Sequence, residues 1–123
     1  NALGFVLEER ASESRVYFEA HVTDDAILQQ LPKPITAMIT PVESVRLFGM
    51  QFSMDAERAL RGVERVAPEF FFPTGVEPSR ATGLFGNILT RCRGTLDDFA
   101  TRLAASGLST QLVVPRAGEE RTV

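Results

Sequence analysis

The chain has 123 residues, a length that fits one domain, and 44% of them are hydrophobic, a share that supplies a core and argues against disorder. A formal charge of −3 removes the electrostatic reason to expect nucleic acid or an anionic membrane as partner. No apolar stretch nears the roughly 20 residues that span a bilayer, so direct membrane insertion is not expected, and the lone Cys92 rules out an internal disulfide.

Cys92 fits a reducing compartment and reads as a small, half-buried hydrophobe. The chain opens at Asn1 without a methionine and enters an apolar run at once. A basic or serine-rich lead is missing, so the sequence reads as a cut piece with any targeting segment removed or not included.

Ala2 to Leu7 reads as a strand, and the charged stretch Glu8 to Ser14 returns the chain into an alternating run, Val16 to His21, in a hairpin-like pair. Thr23-Asp24-Asp25 places a cap and two acids ahead of Ala26, Ile27, Leu28 and Leu31, as at a helix start. Pro32 and Pro34 stop that helix, and Ile35 to Thr40, short and rich in β-branched residues, reads as a buried strand.

Val42 to Phe52 is apolar without a clean period and is expected to be a loop packed on the core. Ser53 can cap a helix over Met54 to Val66, with Ala56, Leu60 and Val63 inward and alternating charges outward. Glu69 to Pro73 follows as a strand whose three phenylalanines suit core packing better than a ligand box. Thr74 to Ser79 is a turn-rich loop, and Ala81 to Arg93 is expected to hold a short helix carrying Cys92, although Gly83 and Gly86 weaken it. Gly83 to Gly86 lacks the Gly-Lys-Ser/Thr ending of a phosphate loop. Thr95-Leu96-Asp97-Asp98 starts a helix with Leu96, Phe99, Ala100, Leu103 and Ala104 inward, and Gly107 ends it. A last strand covers Thr110 to Val114, stopped by Pro115, and 116–123 is a polar tail.

Regular alternation of strands and helices predicts an α/β class with helices covering a sheet. Right-handed crossovers put the helices after Thr23 and Ser53 on one face if their strands are parallel and sequentially ordered. His21, the only histidine, then sits where a strand leaves the sheet, with Glu19 and Thr40 at the same edge. A single histidine cannot build a metal site. Glu19 and Glu43 as an acid/base pair, Cys92 as a nucleophile with His21 as base, and the acids Asp24-Asp25 or Asp97-Asp98 as metal ligands are each weaker readings than strand-end, core and helix-start roles. No catalytic residue is assigned.

Several strings in order resemble the C-terminal half of the metallo-β-lactamase fold, in a divergent branch of plants, algae and cyanobacteria. The resemblance runs from about Leu3 to Pro115. Val16-Tyr17-Phe18-Glu19-Ala20-His21 looks like the branch's Tyr-Tyr/Phe-Glu-Pro-His, and Ile39-Thr40-Pro41-Val42 like its Ile-Thr-Pro-Val. Phe72-Pro73 and Gly94-Thr95-Leu96-Asp97-Asp98-Phe99 add weaker support.

What the resemblance implies is half of an αββα sandwich, residues 1–115, with one sheet, its outer helices and a naked face that a protein partner or a missing N-terminal half covers. In metal-binding members a histidine-rich cluster in the N-terminal half holds zinc. Nothing here matches that cluster, His21 stands where a bridging aspartate is expected, and no histidine follows Phe72-Pro73. The implied protein is a non-catalytic binding or structural subunit of a larger assembly, in a chloroplast by resemblance. Its alternative is a hydrolase in which His21 and a missing N-terminal half hold zinc. An unrelated small α/β interaction module is the third reading.

Overall fold

In a computed structural model, residues 4–19, 24–47, 50–51, 55–75, 90–93 and 96–122 are described. Their main feature is a mixed five-stranded sheet with strand order β1-β2-β3-β6-β8. Strands β1 (Gly4–Glu9) and β2 (Ser14–Glu19) form an antiparallel hairpin, while β3 (Ala37–Pro41), β6 (Phe70–Thr74) and β8 (Gln111–Leu112) run parallel to β2. The expected hairpin and the expected alternation are therefore present, within the general α/β class.

Among the described residues, three helices lie between these strands: α1 (Asp25–Gln30), α2 (Ala56–Val66) and α3 (Leu96–Ser106). Helix α2 packs between α1 and α3. All three cover one face of the sheet, as right-handed crossovers between parallel strands require. The start of α1 is capped by Asp24, whose carboxylate accepts the Ala26 N–H at 2.9 Å. At α2 the cap is Asp55, which accepts the Arg58 N–H at 2.9 Å. The expected caps Thr23 and Ser53 lie outside the described residues. Ala67 ends α2 in the left-handed region, with φ 50°, and Pro68 follows. Lys33, the only lysine, donates from Nζ to the Arg65 carbonyl at 3.0 Å and so meets an otherwise unpaired group near the negative end of that helix. Gly107, with φ 73°, ends α3 where it was expected to.

The parallel register sets Tyr17 beside Met38, and Met38 beside Phe71. Strand side chains alternate between faces, so this row points one way and Val16, Phe18, Ile39 and Phe72 point the other. The Tyr17 row meets the helices. Phe99 of α3 stacks on Phe71, with ring centroids 4.6 Å apart and planes at 29°. Gly62 of α2 lies over Met38, and a Cβ added there would stand 3.0 Å from the Met38 methyl. Around this row the core gathers Leu28, Ile35, Val42, Ala59, Val63 and Leu103.

Two expectations are corrected here. Within Val42–Phe52, expected to be a loop, Ser44–Leu47 is strand β4 and Met50–Gln51 is strand β5. Residues Thr90–Arg93, expected at the end of a helix, form strand β7. They make a second, antiparallel sheet of order β5-β4-β7 in which Val45 opposes Cys92. Cys92 is thus on a strand. The residues 81–89 of that expected helix lie outside the described ones.

Phe99 is fully buried against Phe71. Phe99→Ala is expected to cost about 3–5 kcal/mol, combining lost transfer energy with an unfilled cavity. A urea titration checks it: the midpoint falls while the slope is retained.

Candidate functional site

In sheets with parallel strands and helical crossovers, ligands bind beyond the carboxyl ends of the strands. Here β2, β3 and β6 end at Glu19, Pro41 and Thr74. Phe18 pairs with Ile39, so the next residues, Glu19 and Thr40, come side by side near the ends of their strands on the helix-covered face. The structure thus brings together two of the three residues expected at this edge. His21 lies outside the described residues.

Both residues are buried, Glu19 at 1% exposure and Thr40 at 0%. A buried carboxylate needs donors. Tyr17, two positions earlier on the same face, donates its hydroxyl to Glu19 Oε2 at 2.8 Å. Burial first, then the hydrogen bond to Glu19 and the charge of its carboxylate, push the Tyr17 hydroxyl well above the ordinary tyrosine range. The edge strand makes room for this pair with a glycine. A Cβ on Gly4 would come within 2.8 Å of both Tyr17 Cε2 and Oη and 3.1 Å of Glu19 Oε2. Sequence reading missed Tyr17 and Gly4, although Tyr-x-Glu on an alternating strand already places both polar tips on one side.

Thr40 differs from Glu19 in having a buried Oγ1 without a hydrogen-bond partner among the described residues. Such a group costs free energy unless something satisfies it. Beyond Thr40, burial raises the Glu43 carboxyl above its usual range, and Ser44 is buried next to it in sequence. The other candidates lie elsewhere. Asp24 caps α1, and Asp97 and Asp98 occupy the first turn of α3, where Asp98 pairs with Arg102 at 3.0 Å. Among the described residues no group of three or more histidines, cysteines and acids could hold a metal. Glu19 already accepts from Tyr17, and a threonine hydroxyl is not an ordinary zinc ligand, so this pair does not by itself make a zinc shell. What the edge offers is hydrogen-bonding chemistry: an anchored carboxylate, a phenol held in its protonated form and one hydroxyl with bonding capacity left over.

The sheet face opposite the helices has a different character. Val16, Ala37, Ile39 and Phe72 floor an open apolar depression of about 270 Å³, rimmed by Pro115, Glu119 and Arg121 of the C-terminal tail. The tail turns through a Glu119 N–H to Arg116 carbonyl hydrogen bond of 2.9 Å, and Arg121 pairs with Glu119 at 2.6 Å. Phe18 remains 36% exposed on the same face. No helix among the described residues is long and apolar enough to cross a membrane. No protein-family model matches the chain, and no curated protein matches it.

Two predictions follow the polar edge. The folded-state pKa of Tyr17 lies above the unfolded value of about 10, so its contribution to stability is complete below that pH and is lost as pH rises further. As the only tyrosine, it gives tyrosinate absorbance directly: the signal is expected to appear together with alkaline unfolding, not before it. Thr40→Val keeps the shape and removes a hydroxyl without a partner. It is expected to be neutral or stabilising by about 1 kcal/mol in urea unfolding, whereas the same change at a satisfied threonine destabilises by a similar amount.

Proposed function

We propose that this chain is a non-catalytic binding or structural subunit, built as the C-terminal half of an αββα sandwich of the metallo-β-lactamase type over residues 1–115. The observation that carries the reading is the apolar sheet face opposite the helices, with Phe18 partly exposed beside the depression floored by Val16, Ile39 and Phe72. Leaving a few hundred square ångströms of such surface wet forgoes roughly 25 cal/mol per Å², or several kcal/mol, comparable with the stability of a whole domain. A second sheet, from a protein partner or an N-terminal half, restores that term. The mixed sheet with helices on one side is the layer such a sandwich needs. By resemblance, the assembly belongs to a plastid.

A second reading is favoured by one observation, the buried and unpartnered Thr40 hydroxyl beside Glu19 at the strand ends. In that reading the chain is part of a metal-dependent hydrolase, with His21 and residues of an N-terminal half completing a zinc centre.

Sedimentation velocity over a range of concentrations tests the first reading. The chain alone is expected to self-associate or aggregate, and Phe18→Lys, which places a charge on the open face, is expected to lower that tendency. A monomer at every concentration, with no binding of a dye for apolar surface, overturns it. Elemental analysis separates the two readings: His21→Ala is expected to leave zinc content unchanged, and stoichiometric zinc lost in that variant selects the hydrolase.

A further inference from the structure

The two ends of the five-stranded sheet are unlike. At one end β8 has two ladder residues and Pro115 follows shortly after, a short edge of the kind that resists further pairing. At the other end β1 is six residues long, contains neither proline nor lysine, and exposes Phe5 at 56%, Val6 at 37% and Leu7 at 66%. A long apolar edge with open backbone groups is a template for another strand.

We propose that β1 is a self-association edge, pairing antiparallel with β1 of a second copy of this chain about a two-fold axis normal to the sheet. The inference is independent of the function proposed above. The register argues for a second copy. Residues opposed in an antiparallel pair share a face, and the axis keeps the apolar faces of both copies on the same side. Only registers that oppose residues of like parity are then allowed. Centring the axis on Val6 sets Phe5 against Leu7 of the other copy, both on the open face, and sets Glu8 against Gly4. Glu8 is already neutralised within its own chain by Arg15 at 3.1 Å. Centring on Leu7 sets Val6 against Glu8 and Phe5 against Glu9. Centring on Phe5 opposes Val6 to Gly4 and sets Leu7 against Leu3, which lies outside the described residues. Within Gly4–Glu9, the Val6 register is the one that opposes each of Phe5, Val6 and Leu7 to an apolar residue of the same segment, so this stretch of strand is complementary to itself.

Disulfide mapping tests both the edge and the register. In the proposed pair the two Val6 Cα atoms stand about 4.5–5.5 Å apart, within disulfide reach. The two Leu7 Cα atoms, and likewise the two Phe5 Cα atoms, are offset along the strands to roughly 8 Å, beyond it. Under mild oxidation Val6→Cys is expected to give a cross-linked dimer at least about tenfold faster than Leu7→Cys or Phe5→Cys alone. A mixture of the Phe5→Cys and Leu7→Cys chains is expected to cross-link where each alone does not. Peptide mass spectrometry identifies the linkage, so the native Cys92 can remain, and circular dichroism verifies that each variant is folded. Absence of a Val6 cross-link in a folded variant, or equal rates at the three positions, overturns the proposal.

Discussion

One row of side chains, Tyr17, Met38 and Phe71, decides the arrangement of this protein. Their parallel register puts all three on the same side of the sheet, and the stacking of Phe99 on Phe71 and the close seat of Gly62 over Met38 commit that side to the helices. Alternation does the rest. Once this row is buried, Val16, Phe18, Ile39 and Phe72 must face the other way, although they are no less apolar. The open face is the direct geometric complement of the core.

The same row carries the polar edge. Tyr17 ends in a hydroxyl that reaches past its own position to Glu19, so one residue contributes its ring to the core and its oxygen to a buried carboxylate. Gly4 completes the arrangement from the neighbouring strand by leaving space where any side chain would collide. Thr40, one strand further in, has no hydrogen-bond partner for its hydroxyl among the described residues. A well-satisfied group and an unsatisfied one therefore lie at adjacent strand ends, and packing alone accounts only for the first.

Much of the main sheet was legible in the sequence because its signals are local. The run Val16 to His21, the proline-bounded stretch Ile35 to Thr40, the three phenylalanines of β6 and the stop at Gly107 each mark an element within a few residues. The small sheet was not, because Ser44 to Leu47 is short and its partner Thr90 to Arg93 lies far along the chain. The polar-apolar alternation of Ser44-Val45-Arg46-Leu47 was the available clue, and the apolar residues on either side hid it. At the candidate edge, Glu19 and Thr40 could be read from strand ends and the Tyr17 contact from Tyr-x-Glu within one strand, whereas the need for Gly4 depends on a cross-strand register that no single stretch of sequence displays.

The contact between Lys33 and the end of α2 has a chemical consequence. Every other basic side chain, histidine apart, is an arginine, so the protein has one side-chain primary amine, and that amine is bonded to a helix carbonyl. Acylation would remove its charge and most of its donor capacity together, leaving the Arg65 carbonyl to water. The rate at which an amine reagent modifies this single position would therefore report how often the Lys33 ammonium leaves the Arg65 carbonyl.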